Sequence, residues 1–192
     1  MVLSKALDEL RALLAASPVP EDPIHAENTL KWLLELEPRA PLPLQIAALA
    51  HDIDRAVPPK TRREDFPDYD AFKRAHAKRG AAIVREILER HGVEREVIEE
   101  ACRLVERHEF GGDPASDLLK EADSISYFDT NLPLYYEREG WEETLRRAVW
   151  GLRRLSERGR GLVRQIRYPR EELNHLLDEA FARLYNAPHV PK

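Results

Sequence analysis

Apolar residues recur along most of this chain at intervals of three and four positions, the spacing of an amphipathic helix. No segment shows the convincing alternation of a half-buried strand. Asp22-Pro23 and Asp113-Pro114 are typical helix starts, with a capping side chain followed by proline. The predicted helices cover about 3–16, 22–36, 44–55, 70–91, 94–109, 113–129, 134–157 (interrupted near Gly140) and 169–185. We therefore predict an all-α protein of about seven to eight helices, with a single domain over 1–192.

The third predicted helix, from Leu44 to about Arg55, differs from its neighbours. Its apolar residues cover nearly the whole circumference, and a helix that is apolar on all sides is a buried one. Near its C-terminal end stand His51 and Asp52. Because a buried carboxylate without a partner is very costly, Asp52 needs either a metal ion or a basic side chain from a neighbouring helix.

Composition narrows the class of protein. The 192 residues are 43% hydrophobic and 34% charged, which is typical of a globular chain. No apolar run approaches the ~20 residues of a membrane helix, and the N-terminal residues do not resemble a signal peptide. The single cysteine, Cys102, excludes an internal disulfide and a cysteine-based zinc finger. We expect a cytoplasmic protein, and the net charge of −5 argues against general nucleic-acid binding.

Further polar residues fall on the apolar faces of the predicted helices. His25 lies in a first helical turn, His76 and His108 continue inward stripes, and Asp123 stands inside a helix where it cannot serve as a cap. A lone inward histidine is more often a satisfied core residue than a ligand. Five successive helices with such groups instead favour a shared metal site. Four imidazoles and two carboxylates suit one or two Mn, Fe, Co, Ni or Zn ions better than Mg or Ca.

The order of these residues resembles the HD domain superfamily of helical, metal-dependent phosphohydrolases. Its two-metal members carry the pattern H…HD…H…H…D. This chain has His25, His51-Asp52, His76, His108 and Asp123 in that order. The resemblance covers roughly residues 24–129 and implies an HD-type helical bundle, with a metal-binding core of about 22–130 and a C-terminal helical extension of about 131–192. Many members read H-D-x-G-K after the doublet, where this chain has Asp54 for the glycine and Arg55 for the lysine.

The resemblance also implies a mechanism. It places His25, His51, Asp52 and Asp123 at one metal ion and adds His76 and His108 for a second, with Asp52 as the bridging, catalytic carboxylate. Metal-activated water would then hydrolyse a phosphate ester, which we expect to be a nucleotide or a related small phosphorylated compound. Arg55, Arg79 and Lys73 are the candidate phosphate-binding cations. For Arg79 and Lys73 the alternative is a solvated helix face.

Two other functions remain open at this point. The same six ligands would serve a di-iron oxygenase of the HD type. A non-catalytic, metal-stabilised binding protein is the second alternative. Residues 146–170 hold nine arginines and one acid, a local charge of +8, together with Trp150 and Tyr168 as candidate base-stacking residues. We favour arginines that pair with acidic side chains over a nucleic-acid surface, and a homodimer is among the oligomeric states left open.

Overall fold

The computed structural model describes residues 2–186, and every regular element in that range is helical. The α-helices are α1 (Val2–Ala15), α2 (Asp22–Leu36), α3 (Leu42–Ala50), α4 (Tyr69–Arg90), α5 (Arg95–Arg107), α6 (Pro114–Ser126), α7 (Leu132–Arg154), α8 (Glu157–Val163) and α9 (Glu171–Asn186). Short 3-10 segments lie at Ile53–Arg55 and Arg63–Asp65, and a π-helical segment lies at Tyr127–Asn131. The all-α prediction is confirmed.

The described chain divides between Asp123 and Ser124 into two compact units. The first unit holds α1 to α5 and most of α6. The expected metal-binding core of about 22–130 extends about seven residues past this division.

Helix α3 lies in the core of the first unit, as its composition predicts. It packs against α2 on one side and α5 on the other, and α4 packs along α5. The side chains of α3 from Ile46 to Ala50 are at most 1% exposed. Because α3 is surrounded, the residues that follow it directly are also held deep inside the unit.

The third helix is shorter than predicted. It ends at Ala50, His51 forms its C-cap, and the backbone of Asp52 (φ −100°, ψ 12°) leaves the helical region before the short 3-10 turn. The imidazole of His51 donates to the carbonyl of Ala48, which the helix end leaves available. The early end of the helix therefore lets His51 satisfy a terminal carbonyl group. It also frees the Asp52 carboxylate from the direction that a continuing helix would impose.

The start of α2 also differs from the prediction. Glu21 occupies the N-cap position, and Asp22 is the first helical residue rather than the cap. The carboxylate of Asp22 is used in tertiary contacts, because it accepts a hydrogen bond from the Ser17 hydroxyl (2.5 Å) and pairs with Arg55 (3.0 Å). At α6 the prediction is confirmed, since Asp113 accepts from the backbone N–H groups of residues 115 and 116.

The second unit contains a helix that the sequence pattern did not predict. Helix α8 spans seven residues, two of them glycine, so its own propensity is low. The Ser156 hydroxyl caps it by accepting from Gly159 N–H, and Val163 is buried. Tertiary packing and a cap thus stabilise a segment that periodicity leaves ambiguous. The expected break in α7 is confirmed at Gly140, where φ is +77°.

Between residues 2 and 186, no helix combines the length and the apolar character that a bilayer crossing requires.

Candidate metal centre

Four histidines from different elements meet in the interior of the first unit. His25 comes from the first turn of α2, His51 from the end of α3, His76 from the middle of α4, and His108 from the end of α5. All four are at most 5% exposed. The ring centroids of His25 and His51 lie 5.1 Å apart, those of His51 and His108 5.2 Å, and those of His76 and His108 5.9 Å. The rings thus form one continuous cluster.

Asp52 lies among these rings and is shared by two groups of potential ligands. In one group its carboxylate stands with His25 and His51, and in the other with His76 and His108. Within each group, one ligand atom from every residue lies within 4.8 Å of the other two. Both groups could hold a metal ion. Their common member is the carboxylate that the sequence analysis placed in a bridging role.

Asp123 reaches the same cluster from α6. Its Oδ1 lies 3.1 Å from His25 Nε2 and 3.6 Å from His51 Nε2. The Asp123 side chain is 19% exposed, so the carboxylate borders the cluster at a point that solvent reaches. The structure therefore brings all six sequence-predicted ligands together.

Two histidines have their ring orientation fixed by their own helix ends. His51 Nδ1 donates to the carbonyl of Ala48 (2.9 Å), and His108 Nδ1 donates to the carbonyl of Val105 (2.7 Å). A neutral imidazole carries one ring proton, so this bond leaves the lone pair on Nε2. That tautomer suits a metal ligand, because a ligand nitrogen must be unprotonated.

The carboxylates control the charge of the histidines in the absence of a metal ion. Burial alone disfavours protonated His51, but Asp52 and Asp123 outweigh it and raise the pKa of His51 to about 9. Burial also disfavours protonated His76, but Asp52 and Asp54 outweigh this effect and raise the pKa of His76 to about 10. The pKa of His108 is lowered, mainly by burial. The carboxylates thus favour positive charge at His51 and His76, while burial disfavours it at His108.

Arg55 lies at the rim of the cluster. Its Nη1 is 2.9 Å from Asp52 Oδ2 and its Nη2 is 3.0 Å from Asp22 Oδ1. The Arg55 side chain is 36% exposed. The guanidinium therefore contacts the shared carboxylate on one side and solvent on the other.

The other two candidate cations have different environments. Arg79 Nη1 pairs with Asp54, which lies inside the protein. Lys73 is only 8% exposed in its side chain, so the alternative of a solvated helix face is wrong for it. Its amine lies 3.7 Å from Glu109 and over the Phe110 ring, 4.7 Å from the ring centre. This amine therefore contacts the two residues that follow His108 in the chain.

Sequence reasoning gave Asp54 no role, but the structure places it next to His76. The Asp54 carboxylate is fully buried and lies 2.9 Å from His76 Nδ1. The sequence held a signal for such a role, because Asp54 is a carboxylate within the predicted buried helix from Leu44 to about Arg55.

The arginine-rich segment lies in the second unit, and several of its arginines contact acidic or aromatic side chains. Arg146 pairs with Glu143, and Arg170 pairs with Glu137 and Glu172. The Trp150 ring lies 4.5 Å from the Arg147 guanidinium and 4.6 Å from that of Arg154. Tyr168 is buried and donates to the carbonyl of Phe128 (2.5 Å). Tyr168 is therefore a core residue rather than a base-stacking one.

Comparison with known proteins gives a family and one partial relative. Residues 5–176 match a domain family of unknown function, DUF4202, and the chain belongs to this family. Over 85 residues the chain is 40% identical to a CC-adding tRNA nucleotidyltransferase of Thermus thermophilus. That stretch is 44% of this chain and 19% of the relative, so the chain spans about a fifth of the protein it resembles. No solved structure matches.

Proposed function

We propose that this member of the DUF4202 family is a metal-dependent phosphohydrolase of the HD type. One observation carries the proposal: two groups of metal-binding side chains, each with two buried histidines, share a single carboxylate, Asp52. With this arrangement Asp52 would be available as a ligand to an ion held by either group. The proposal extends to the HD superfamily because the six residues occur in that superfamily's order.

The chemistry of the donor set fits transition-metal ions. Four imidazoles and two carboxylates form a mixed nitrogen and oxygen set, which suits Mn, Fe, Co, Ni or Zn. Magnesium and calcium prefer all-oxygen ligands. His25, His51, Asp52 and Asp123 would hold one ion, and Asp52, His76 and His108 would hold the other. The positive charge of the ions would offset the cost of desolvating the two carboxylates.

Each side chain of the centre has a distinct task in hydrolysis. When bound, the metal ions lower the pKa of coordinated water and offset negative charge on phosphoryl oxygens. Asp52 would be the carboxylate ligand common to both ions. Arg55, whose side chain is 36% exposed, would contact the substrate phosphate with N–H donors not used by Asp52 and Asp22. Lys73 would add positive charge at the end of α5, where its amine lies 3.7 Å from Glu109.

We infer that the substrate is a small phosphorylated compound, with nucleotides as the first class to test. The partial relative is named for adding nucleotides to tRNA, which favours a nucleotide ligand for the shared stretch. Two arginines near the cluster, Arg55 and Arg79, supply the cations that phosphate groups need.

Phosphate release tests the proposed function. Protein loaded with Mn²⁺ or Co²⁺ should release phosphate from an aryl phosphate or from members of a nucleotide panel. His51→Ala and Asp52→Ala should each abolish this release because they remove ligands. The matched control is His175→Ala, which removes a histidine with a 68% exposed side chain on α9 and should leave the rate unchanged.

Two results would contradict the proposal. Metal-loaded protein that releases no phosphate but consumes oxygen with a reduced di-iron pair would be an oxygenase. Metal-loaded protein that does neither, yet loses stability when the metal is removed, would be a non-catalytic, metal-stabilised protein.

A further inference from the structure

The ring orientation of His76 has a different origin from that of His51 and His108. Those two histidines lie at helix C-caps, where carbonyl groups lack intrahelical partners and accept from Nδ1. His76 lies in the interior of α4, seven residues after its start, where the backbone carbonyls are occupied by the helix itself. Its ring therefore needs an acceptor from outside its own helix.

Asp54 supplies that acceptor. His76 Nδ1 lies 2.9 Å from Asp54 Oδ2, and on the opposite edge of the ring His76 Nε2 lies 2.9 Å from Asp52 Oδ1. The imidazole thus stands between two carboxylates. Donation from Nδ1 to Asp54 directs the remaining nitrogen toward the shared carboxylate of the cluster.

Asp54 is itself held in place. Its side chain is fully buried, and Arg79 Nη1 and the backbone N–H of Thr61 both donate to it, the latter at 3.3 Å. A buried carboxylate persists only with such compensation. Arg79 Nη1 also lies 3.3 Å from the backbone carbonyl oxygen of Asp54, so Arg79 contacts both the side chain and the backbone of this residue.

We propose that Asp54 is a positioning residue for the second metal ion, acting through His76, and that Arg79 holds Asp54 in turn. This inference rests on the proposed function, because it requires His76 to be a metal ligand. A carboxylate that accepts the distal proton of a ligating imidazole fixes the tautomer and the ring direction and makes the ring a stronger donor. The centre would then have one ligand, His76, that is tuned by a charged group, while His51 and His108 are anchored by neutral carbonyls.

Co²⁺ titration of the purified full chain tests this assignment. The wild-type protein should bind two Co²⁺ ions, detected by calorimetry and by visible absorption. In Asp54→Asn the first ion should keep its affinity within about two-fold, and the second should bind roughly 10- to 100-fold more weakly with an altered visible band. His76→Ala should lose the second ion altogether.

Two further variants separate positioning from folding. Asp65→Asn makes the same chemical change at an exposed position of the neighbouring loop and should titrate like the wild type. Arg79→Gln removes the ion pair with Asp54, and the Arg79 side chain is 28% exposed. This variant should weaken binding of the second ion alone, by about three- to ten-fold. This second variant carries the test if Asp54→Asn fails to fold.

The outcomes distinguish this inference from the function on which it rests. A wild-type chain that binds fewer than two Co²⁺ ions would contradict the proposed two-metal centre. If two ions bind, and Asp54→Asn and Arg79→Gln keep the wild-type affinity and spectrum of the second, then Asp54 has no positioning role. Equal weakening of both ions in these variants would also overturn the assignment, because it would mark Asp54 as a residue of the fold only.

Discussion

Arg55 shows how one side chain can serve both the fold and the site. It pairs with Asp22, which is buried at the start of α2, and with Asp52, the shared carboxylate of the cluster. The pKa of Asp52 stays well below its usual range because Arg55 and His51 together outweigh the effect of burial. The remaining exposed part of the guanidinium is the part that a substrate phosphate would meet.

Removal of Arg55 should separate binding of metal from binding of substrate. Arg55→Ala should keep the metal content and lower kcat/KM by about ten- to a hundred-fold, because a charge-assisted hydrogen bond contributes roughly 1.5–3 kcal/mol. Steady-state kinetics on a responsive phosphate ester, with metal analysis of the same sample, provide the measurement. Arg55→Lys should recover part of the loss, since it restores the charge without the two-pronged geometry.

Unchanged kinetics in Arg55→Ala would limit Arg55 to its structural pairs. The phosphate contact would then fall to Lys73 or Arg79. Because Arg55→Ala also leaves Asp22 without its cation, its melting temperature should be recorded. Asp22→Asn in the same background should recover any stability lost there.

At the scale of elements, the positions where helices end or bend determine where several side chains lie. Helix α3 ends at Ala50, and the backbone of Asp52 leaves the helical region. Helical geometry therefore no longer sets the direction of the Asp52 side chain. In the second unit the bend in α7 occurs at Gly140, where φ is +77° and ψ is −174°. This combination is essentially restricted to glycine, so the bend depends on one residue.

Two glycines of the second unit should respond in opposite directions to alanine. A Cβ at Gly140 or at Gly161 would meet no other atom within 4 Å, so steric contact is absent in both cases. Gly140→Ala should destabilise the protein by about 1–3 kcal/mol, because alanine is strained at this backbone geometry. Gly161→Ala lies in the ordinary helix α8 and should stabilise by about 0.5–1 kcal/mol.

Denaturant unfolding monitored by circular dichroism measures both effects. If Gly140→Ala proved as stable as the wild type, the break in α7 would not exist in solution. A destabilised Gly161→Ala would mean that α8 does not form as a helix.

For the whole molecule, all six proposed ligands belong to the first compact unit, which ends at Asp123. A metal centre in that unit links α2, the end of α3, α4, the end of α5, and α6. Such a cross-link stabilises the folded state, since the unfolded chain lacks a formed site. The second unit contributes none of the predicted ligands.

Bound metal should therefore raise the free energy of unfolding, and the helices that gain protection should be those around the site. At a free Mn²⁺ or Co²⁺ concentration of 100 times Kd, the free energy of unfolding should rise by about 2.7 kcal/mol per ion. Calorimetry with and without a chelator measures the rise, and Asp52→Ala should remove it. Hydrogen exchange should show added protection in peptides from α2 to α6. Protection gained in α9 alone would contradict a centre in the first unit.

The sequence by itself determined the helical class and which side of each helix faces inward. Both properties are local, because a helix repeats every 3.6 residues and an apolar stripe shows the buried side. The inward placement of His76 and His108 follows from this rule, as does the burial of α3 from Ile46 to Ala50. The helix start at Asp113 could also be predicted, since its cap is made by residues two and three positions away.

The tertiary structure alone decided how the polar groups pair. The chain separates Asp54 from His76 by 22 positions and Asp22 from Arg55 by 33, and no periodicity relates such residues. The end of α3, the capping role that Asp22 does not take, and the buried position of Lys73 all depend on partners from other elements. A charged side chain in the interior is placed by its partners, and only the folded chain brings those partners within reach.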